Sequence, residues 1–217
     1  MDGVFLHCLG NLHTDGVKMK QFFTLTVMAV ILLSAGQILQ RQMELSEKLV
    51  RLHVVANSDS REDQQIKLSV RDAVLAQVER ETAGCTDRAQ MLRILQSQLT
   101  ELERAAQLKL DEIGCSDRVR VTLGREHFPT RYYETFTLPA GQYTALRVQI
   151  GDGAGQNWWC VAFPTLCTAA QQEELEAIAV SCGFGEDEVA MITESQSYEI
   201  DFKVLEWWEK VMTLFAS

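Results

Sequence analysis

The stretch that decides the fold is Leu49-Val50-Arg51-Leu52-His53-Val54-Val55-Ala56-Asn57-Ser58-Asp59-Ser60. Apolar and polar side chains alternate in its first half and its second half is apolar, which predicts a β-strand with one face buried. The polar residues at positions 57–60 end this strand and supply side chains that can cap a helix. We therefore expect a strand that leads directly into a helix.

Two amphipathic helices are predicted after this strand. In the first, apolar residues recur at spacings of three and four, and Gly84 ends the pattern. The second runs from Asp87 to about Asp111 with a similar apolar stripe, and Gly114 ends it. Each helix should bury one face against the rest of the domain.

The periodicity changes to two after the second helix. Strands are predicted at Val119–Leu123, Tyr133–Leu138 and Tyr143–Ile150, and another contains Trp158. Short strands joined by tight turns favour antiparallel neighbours. Helices grouped first and strands grouped later indicate an α+β fold, in which the N-terminal strand and the two amphipathic helices pack on a mostly antiparallel sheet.

The C-terminal part is predicted to add three more elements. Residues 170–181 have a helical pattern, Tyr198–Val204 alternates like a strand, and Leu205–Phe215 forms a short, strongly apolar helix. The apolar stripe of this last helix either packs on the domain's own sheet or contacts a membrane surface or a transmembrane partner.

An apolar segment precedes the first strand. Phe22–Leu33 contains no charge, follows Lys18 and Lys20, and is followed by small residues at 34–36, which is typical of a secretory signal peptide. The apolar run continues to Leu39, so a retained membrane anchor is the alternative. We expect residues 19–39 to direct export and residues 44–217 to form a single exported domain. Residues 1–18 do not fit a signal, and we expect them to be an upstream extension that precedes the natural start at Met19.

The net charge of the chain is −10. Such a surface repels phosphate backbones and anionic lipid headgroups, so nucleic acid is not an expected ligand. The roughly 180 residues that follow the apolar segment are enough for one domain with a substantial core.

Two cysteines flank a proline in Asn157-Trp158-Trp159-Cys160-Val161-Ala162-Phe163-Pro164-Thr165-Leu166-Cys167. Pro164 can bend this run back on itself, and an oxidising compartment would favour a disulfide between Cys160 and Cys167. No metal ligands follow at a suitable spacing, so we expect no metal site. A catalytic Cys160 would need His53 or His127 as its base, and neither lies in a recognisable motif.

The remaining cysteines flank the second helix or follow later. Cys85 and Cys115 flank that helix, and if it is straight its ends stand about 37 Å apart at 1.5 Å per residue. A disulfide needs Cα atoms within about 7 Å. This pair therefore cannot form unless the helix breaks into a hairpin, and Cys182 remains available to either.

Several segments, taken together, resemble the stage II sporulation protein R family. The N-terminal signature of that family is similar to Arg51–Ser60, followed by Glu62-Asp63-Gln64-Gln65, Lys67 and Val70-Arg71-Asp72-Ala73-Val74. Later segments agree in order, namely Phe128-Pro129-Thr130, Pro139-Ala140-Gly141-Gln142-Tyr143, Gly151-Asp152-Gly153, Asn157–Cys167 and Phe202–Trp208.

The resemblance implies a protein that is exported from the forespore of an endospore-forming bacterium into the space between two membranes. There it would switch on a membrane-embedded aspartic protease of the mother cell, which removes the pro-segment of the mother-cell sigma factor. The chain would then be an activator rather than an enzyme, without catalytic residues, cofactors or a small-molecule substrate.

Candidate partner-binding residues lie in the polar turn, on the adjacent helix face and at the two tryptophan pairs. They are Arg51, Asn57, Ser58, Asp59, Asp63, Lys67, Arg71, Asp72, Asn157, Trp158, Trp159, Trp207 and Trp208.

Other interpretations of these segments remain open. The polar turn at 57–60 with Asp63 caps a helix or forms a metal or phosphate loop. Gly151–Gly155 is followed by a strand rather than a helix, which favours a sharp connection over a phosphate site. The alternative functions are a cell-wall or peptide hydrolase that uses Cys160, and a module that binds the wall or the membrane.

Overall fold

The computed structural model describes residues 39–193 except 165 and 167–170, together with scattered residues between 19 and 37. The chain divides between Gln40 and Arg41 into two units. The described residues of the first unit are helical. Nowhere in the described part does a helix combine the length and the apolar composition that a membrane span requires.

The second unit begins with helical residues 41–48 and continues with alternating groups of strands and helices. Its described elements are β1 (Val50–Val55), α1 (Arg61–Glu81), α2 (Arg88–Glu112), β2 (Val119–Phe128), β3 (Arg131–Tyr132), β4 (Thr137–Leu138), β5 (Gly141–Ile150), β6 (Asn157–Phe163), α3 (Gln172–Ser181) and α4 (Glu186–Thr193).

The main sheet has four strands in the order β2-β5-β1-β6. β5 is antiparallel to β2 and β6 is antiparallel to β1, whereas β1 and β5 are parallel. The predicted α+β fold with a mostly antiparallel sheet is therefore confirmed. The first strand of the chain lies between β5 and β6, so the connection at 151–156 must cross over the end of β1.

Helix boundaries follow the capping residues. The side chain of Ser60 accepts a hydrogen bond from the Asp63 backbone N–H at the start of α1, and Asp87 caps α2 through the N–H groups of residues 89 and 90. Gly84 has a φ of 75°, a left-handed conformation that glycine adopts without steric cost. α2 is one continuous helix of 25 residues, which keeps Cys85 and Cys115 apart, and both are free thiols.

The hydrophobic core lies between one face of the sheet and the two long helices. Its members are aliphatic and almost completely buried. They include Val50, Leu52 and Val54 of β1, Val70, Val74 and Val78 of α1, Leu95, Leu102 and Leu110 of α2, and Leu146, Val148 and Ile150 of β5.

The expectation that β1 buries one face was wrong, because all six of its residues are buried. Arg51 and His53 point away from the aliphatic core, yet they are 0% and 4% exposed. Aromatic rings of the main sheet and of the turn between β3 and β4 cover them.

Other expectations differ in detail. β2 extends five residues beyond its predicted end at Leu123. The predicted strand Tyr133–Leu138 was wrong: its first half is a turn in which the Tyr133 N–H donates to Phe136 O at 2.8 Å, and only Thr137–Leu138 pairs as a strand. Helix α4 was not predicted. The predicted strand Tyr198–Val204 and the final helix lie outside the described residues.

Candidate functional site

The polar turn after β1 is held by its own side chains. Ser58 donates its hydroxyl hydrogen to the carboxylate of Asp63, whose backbone N–H donates to Ser60 Oγ at 3.0 Å. The side-chain amide of Gln64 donates to Ser58 O at 2.8 Å. These contacts confirm the capping interpretation of the turn, since its hydroxyl and carboxylate groups bind the start of α1.

The glycine-rich connection between β5 and β6 packs directly on this turn. The backbone N–H of Asp152 donates to Asn57 Oδ1 at 3.0 Å, and that of Gly155 donates to Ala56 O at 2.9 Å. A Cβ atom at Gly155 would lie 2.2 Å from the backbone oxygen of Ser58. Glycine is needed there because any side chain would push two backbone segments apart.

Lys67 links α1 to the glycine-rich connection between β5 and β6. Its ammonium group donates to Gln64 Oε1 at 2.6 Å and to Gln156 O at 3.0 Å, and the residue is 5% exposed. Burial lowers the pKa of Lys67, Asp59 acts in the opposite direction, and Arg71 lowers the pKa further. Lys67 therefore holds the turn and the connection together from within the protein.

Arg71, Asp72 and Trp158 form a surface patch at the same end of β1. The Arg71 guanidinium is 2.7 Å from the Asp72 carboxylate, and its central carbon is 4.3 Å from the centre of the Trp158 ring. Trp158 is 36% exposed. An exposed tryptophan with an arginine stacked on it has the composition of a binding hot spot.

A second group of side chains lies on the other face of the sheet, opposite the aliphatic core. His53 Nδ1 is 2.8 Å from Glu126 Oε2, and its Nε2 is 2.7 Å from Asn157 Oδ1. Its ring stacks on Trp159 with 3.9 Å between centroids. Arg147 Nη1 also donates to Glu126, at 3.1 Å. The four strands of the sheet thus contribute one polar network.

Two opposing effects act on Glu126 in this network. Burial by itself would raise the pKa of this carboxyl group, but the hydrogen bonds and charges of His53 and Arg147 outweigh it. The pKa of Glu126 consequently lies below its ordinary value of 4.5. The ionised carboxylate is the form that the native arrangement favours.

Arg51 is a buried anchor rather than a surface residue. Its Nε donates to Cys160 O at 2.9 Å, its Nη2 donates to Tyr133 Oη at 2.7 Å, and its central carbon is 4.4 Å from the Phe128 ring centre. Burial lowers the pKa of this guanidinium. Nη1 finds no acceptor among the described residues. Arg51 joins β1, β6 and the turn between β3 and β4, and a partner cannot reach it in this structure.

The described structure does not assemble Cys160 with a histidine. Cys160 is opposite Leu52 in the β1–β6 register and points into the aliphatic core, while His53 is opposite Trp159. Successive side chains of a strand point to opposite faces, so His53 and Cys160 are on different sides of the sheet. His127 is on β2, three strand spacings from β6, which is roughly 14 Å.

The candidate residues that the structure describes thus fall into four groups. Asn57, Ser58, Asp63 and Lys67 meet around the end of β1, with Asp59 exposed beside them, and we call these five residues the β1-end cluster. Arg71, Asp72 and Trp158 lie next to it on the helix side, and Asn157 and Trp159 lie next to it on the other face. Arg51 is buried elsewhere on that face. Trp207 and Trp208, like Cys167, lie outside the described residues.

Sequence reasoning missed Glu126 and Arg147 as parts of this region. Arg147 alternates with core residues of β5, but Glu126 lies beyond the predicted end of its strand at Leu123 and between two exposed residues, so no local pattern marked the pair. Their pairing could not be deduced because it depends on β2 and β5 being neighbours. Within the described ranges, no group of three or more His, Cys, Asp or Glu residues is placed to hold a metal ion.

The sequence matches a family model described as stage II sporulation protein R over residues 46–173. It is 34% identical over 141 residues to "Stage II sporulation protein R" of Bacillus subtilis (strain 168), a match that covers 61% of this chain and 63% of that relative. The chain is therefore aligned to somewhat less than two thirds of the relative's length. No solved structure matches it.

Proposed function

The chain belongs to the stage II sporulation protein R family, and from this premise we propose that it is an exported signalling protein that activates a membrane-embedded aspartic protease. The apolar segment at 19–39 would carry it from the forespore into the space between the two membranes, as a cleaved signal or as an anchor. The protease in the mother-cell membrane would then remove the pro-segment of the mother-cell sigma factor.

The observation that carries this proposal is the position of the family match. Residues 46–173 contain the β1-end cluster and the adjacent patch of Arg71, Asp72 and Trp158. Hydrogen bonds between segments distant in sequence stabilise the cluster. These bonds hold the adjacent patch in a defined shape. A preorganised surface that contains an exposed tryptophan is suited to binding another protein.

An activator works by binding the active arrangement of its target more tightly than the inactive one. An aspartic protease needs two carboxyl groups side by side. Binding at the extracytoplasmic face would favour the arrangement of the membrane protease that brings these two groups together. We propose that Arg71 and Trp158 provide the central contacts of this interaction, with Asn157 at its margin.

The test is processing of the pro-sigma factor in an endospore-forming host whose own copy of the gene is deleted. Complementation with the wild-type chain should restore cleavage, and the double variant Arg71→Ala with Trp158→Ala should slow cleavage by about tenfold or more. Arg104→Ala is the matched control, because Arg104 is 68% exposed on α2 and should leave cleavage unchanged. Normal processing in the deletion strain would refute the activator function. If the double variant restores cleavage as well as the wild-type chain does, only the assignment of Arg71 and Trp158 to the binding surface is refuted.

The two cysteines of the 157–167 segment separate this function from a thiol hydrolase. We propose that Cys160 pairs with Cys167 after export, which would stabilise the domain by roughly 2–3 kcal/mol through closure of a short loop. Cys160→Ser and Cys167→Ser should then lower the stability of the oxidised protein to a similar extent and reduce pro-sigma cleavage equally. A thiol enzyme would lose function with Cys160→Ser alone. A mass map under non-reducing conditions checks the pairing directly.

A further inference from the structure

Among the described residues, β2 is an edge strand of the main sheet and only its first half is covered. The backbone N–H of Val119 donates to Gln107 Oε1 at 3.1 Å, and that of Val121 donates to Glu103 Oε2 at 2.9 Å. Both acceptors are side chains of α2. Helix α2 therefore covers the outer edge of β2 at this end. Proteins commonly cover edge strands in this way, because an exposed edge can pair with a strand of another chain.

The second half of β2 lacks this cover. In an antiparallel pair, successive residues direct their backbone N–H and C=O groups alternately toward the partner strand and away from it. The N–H groups of 119 and 121 point away from β5, so those of Leu123 and Arg125 do the same, because the β2–β5 register continues without a shift through these positions. No acceptor for these two N–H groups is found among the described residues.

A groove of about 580 Å³ opens beside this uncovered edge. Its walls are the first half of α2 and the second half of β2, with Leu92 and Leu123 as half-buried apolar members and Arg93 and Arg125 as exposed charged ones. The groove exists because α2 contacts β2 at residues 103 and 107 and is farther from the strand where residues 92–97 face 123–125.

We propose that this edge binds an extended acidic peptide segment of a partner protein as an added strand. The segment would pair its backbone with Leu123 and Arg125, and every second side chain would enter the groove beside Leu92. Acidic side chains fit because Arg93 and Arg125 line the groove in a protein whose net charge is −10. Arg125 also binds the Glu47 carboxylate at 2.6 Å, so these two arginines and one carboxylate leave a net positive charge beside the groove. A second copy of the chain fits less well, since it would bring its own two arginines to the same groove.

This inference does not depend on the proposed function, because strand addition can be measured with peptides alone. It concerns a different surface from the patch of Arg71 and Trp158: that patch lies at the end of β1, and β5 separates β1 from β2. Failure of one proposal therefore leaves the other intact.

The experiment is selection of linear ten-residue peptides from a displayed random library on the full-length protein. Enriched peptides should alternate apolar with acidic residues. Arg125→Ala removes the guanidinium group but keeps the backbone N–H, whereas Arg125→Pro removes both. Neither change touches the β5 ladder, and proline is tolerated on an edge strand whose N–H faces outward. A selected peptide should bind Arg125→Pro about tenfold more weakly than Arg125→Ala.

Hydrogen exchange of the wild-type protein provides a second measurement that needs no variant. The amides of Leu123 and Arg125 should exchange quickly in the free protein and become protected when a selected peptide is bound, while those of Val119 and Val121 should stay unchanged. Failure to enrich peptides, equal binding to both variants, or protection elsewhere would overturn the proposal. Self-association that Arg125→Pro abolishes would overturn it in favour of a second copy.

Discussion

One face of the main sheet packs against α1 and α2 through aliphatic side chains, whereas the other buries Arg51 and His53 beneath aromatic rings. The two faces meet in β1, where Leu52 points to one side and its neighbours to the other. Aliphatic burial is non-directional and contributes stability in proportion to area. A buried guanidinium and a hydrogen-bonded imidazole contribute little net stability but hold their neighbours at fixed distances. The first face stabilises the domain, and the second positions the residues near the candidate site.

Substitutions at adjacent positions of β1 test this difference most strongly. Leu52→Ala should lower the free energy of unfolding by about 2–5 kcal/mol, because it leaves a cavity in the aliphatic core. Arg51→Met should change it by less than about 1.5 kcal/mol, because it removes a buried charge for which the described residues provide no anionic partner and keeps the volume filled. Urea unfolding measures both. Equal losses would mean that the second face stabilises the domain as much as the first.

The next largest loss of stability is expected in the glycine-rich connection between β5 and β6. Gly155→Ala should destabilise the protein by roughly 1–3 kcal/mol, because the new methyl group would overlap backbone atoms of Ser58. Gly124→Ala is the matched control. A methyl group added at Gly124 would meet no other atom within 4 Å, so this change should stay within about 0.5 kcal/mol. Similar urea midpoints for the two variants would contradict the tight packing of the connection on the turn.

The smallest expected effect is on the pH dependence of stability. Glu126 has a pKa below 4.5 in the folded protein, so the unfolded state binds more protons in that range. Its contribution to stability is present above about pH 4.5 and is lost as the pH falls through the folded-state pKa. The difference in unfolding free energy between wild type and Glu126→Gln should therefore be largest near neutral pH and vanish in acid.

Glu47 provides the comparison for this pH measurement. Its pKa is also lowered, chiefly by a hydrogen bond from Arg125, but its side chain is 53% exposed. Solvent screens such a pair, so Glu47→Gln should show a smaller pH-dependent difference than Glu126→Gln. A larger difference for Glu47→Gln would mean that the network around His53 does not favour the ionised carboxylate.

Local signals predicted most of the individual elements correctly. The strand before Asn57, the helices that begin after Ser60 and Asp87, and the ends near Gly84 and Gly114 all agree with the structure. Each depends on a few neighbouring residues, because capping and amphipathic periodicity act within one or two helical turns. The prediction of a strand at Tyr133–Leu138 was wrong because the local pattern was misleading there. Its alternating residues belong to a turn in which the rings of Tyr133 and Phe136 stack.

The candidate site was predicted in part. The residues of the polar turn and Lys67 come together at the end of β1 as their closeness in sequence predicted, and Asn157 lies next to them. Arg51 was a binding candidate because it lies close to the polar turn in sequence, but its position in a central strand buries it. Glu126 and Arg147 gave no local signal, since a strand presents charged residues to solvent and to a buried network with the same spacing.

The sequence by itself determined the α+β class, the two helices with their caps and the residues that make up the core, because these depend on interactions between residues close in the chain. Only the tertiary structure decided that β1 lies between β5 and β6, that Arg51 and His53 are buried, and that the described residues leave half of the β2 edge uncovered. These features depend on which strands become neighbours. That choice is made by the packing of surfaces distant in sequence, and no local pattern encodes it.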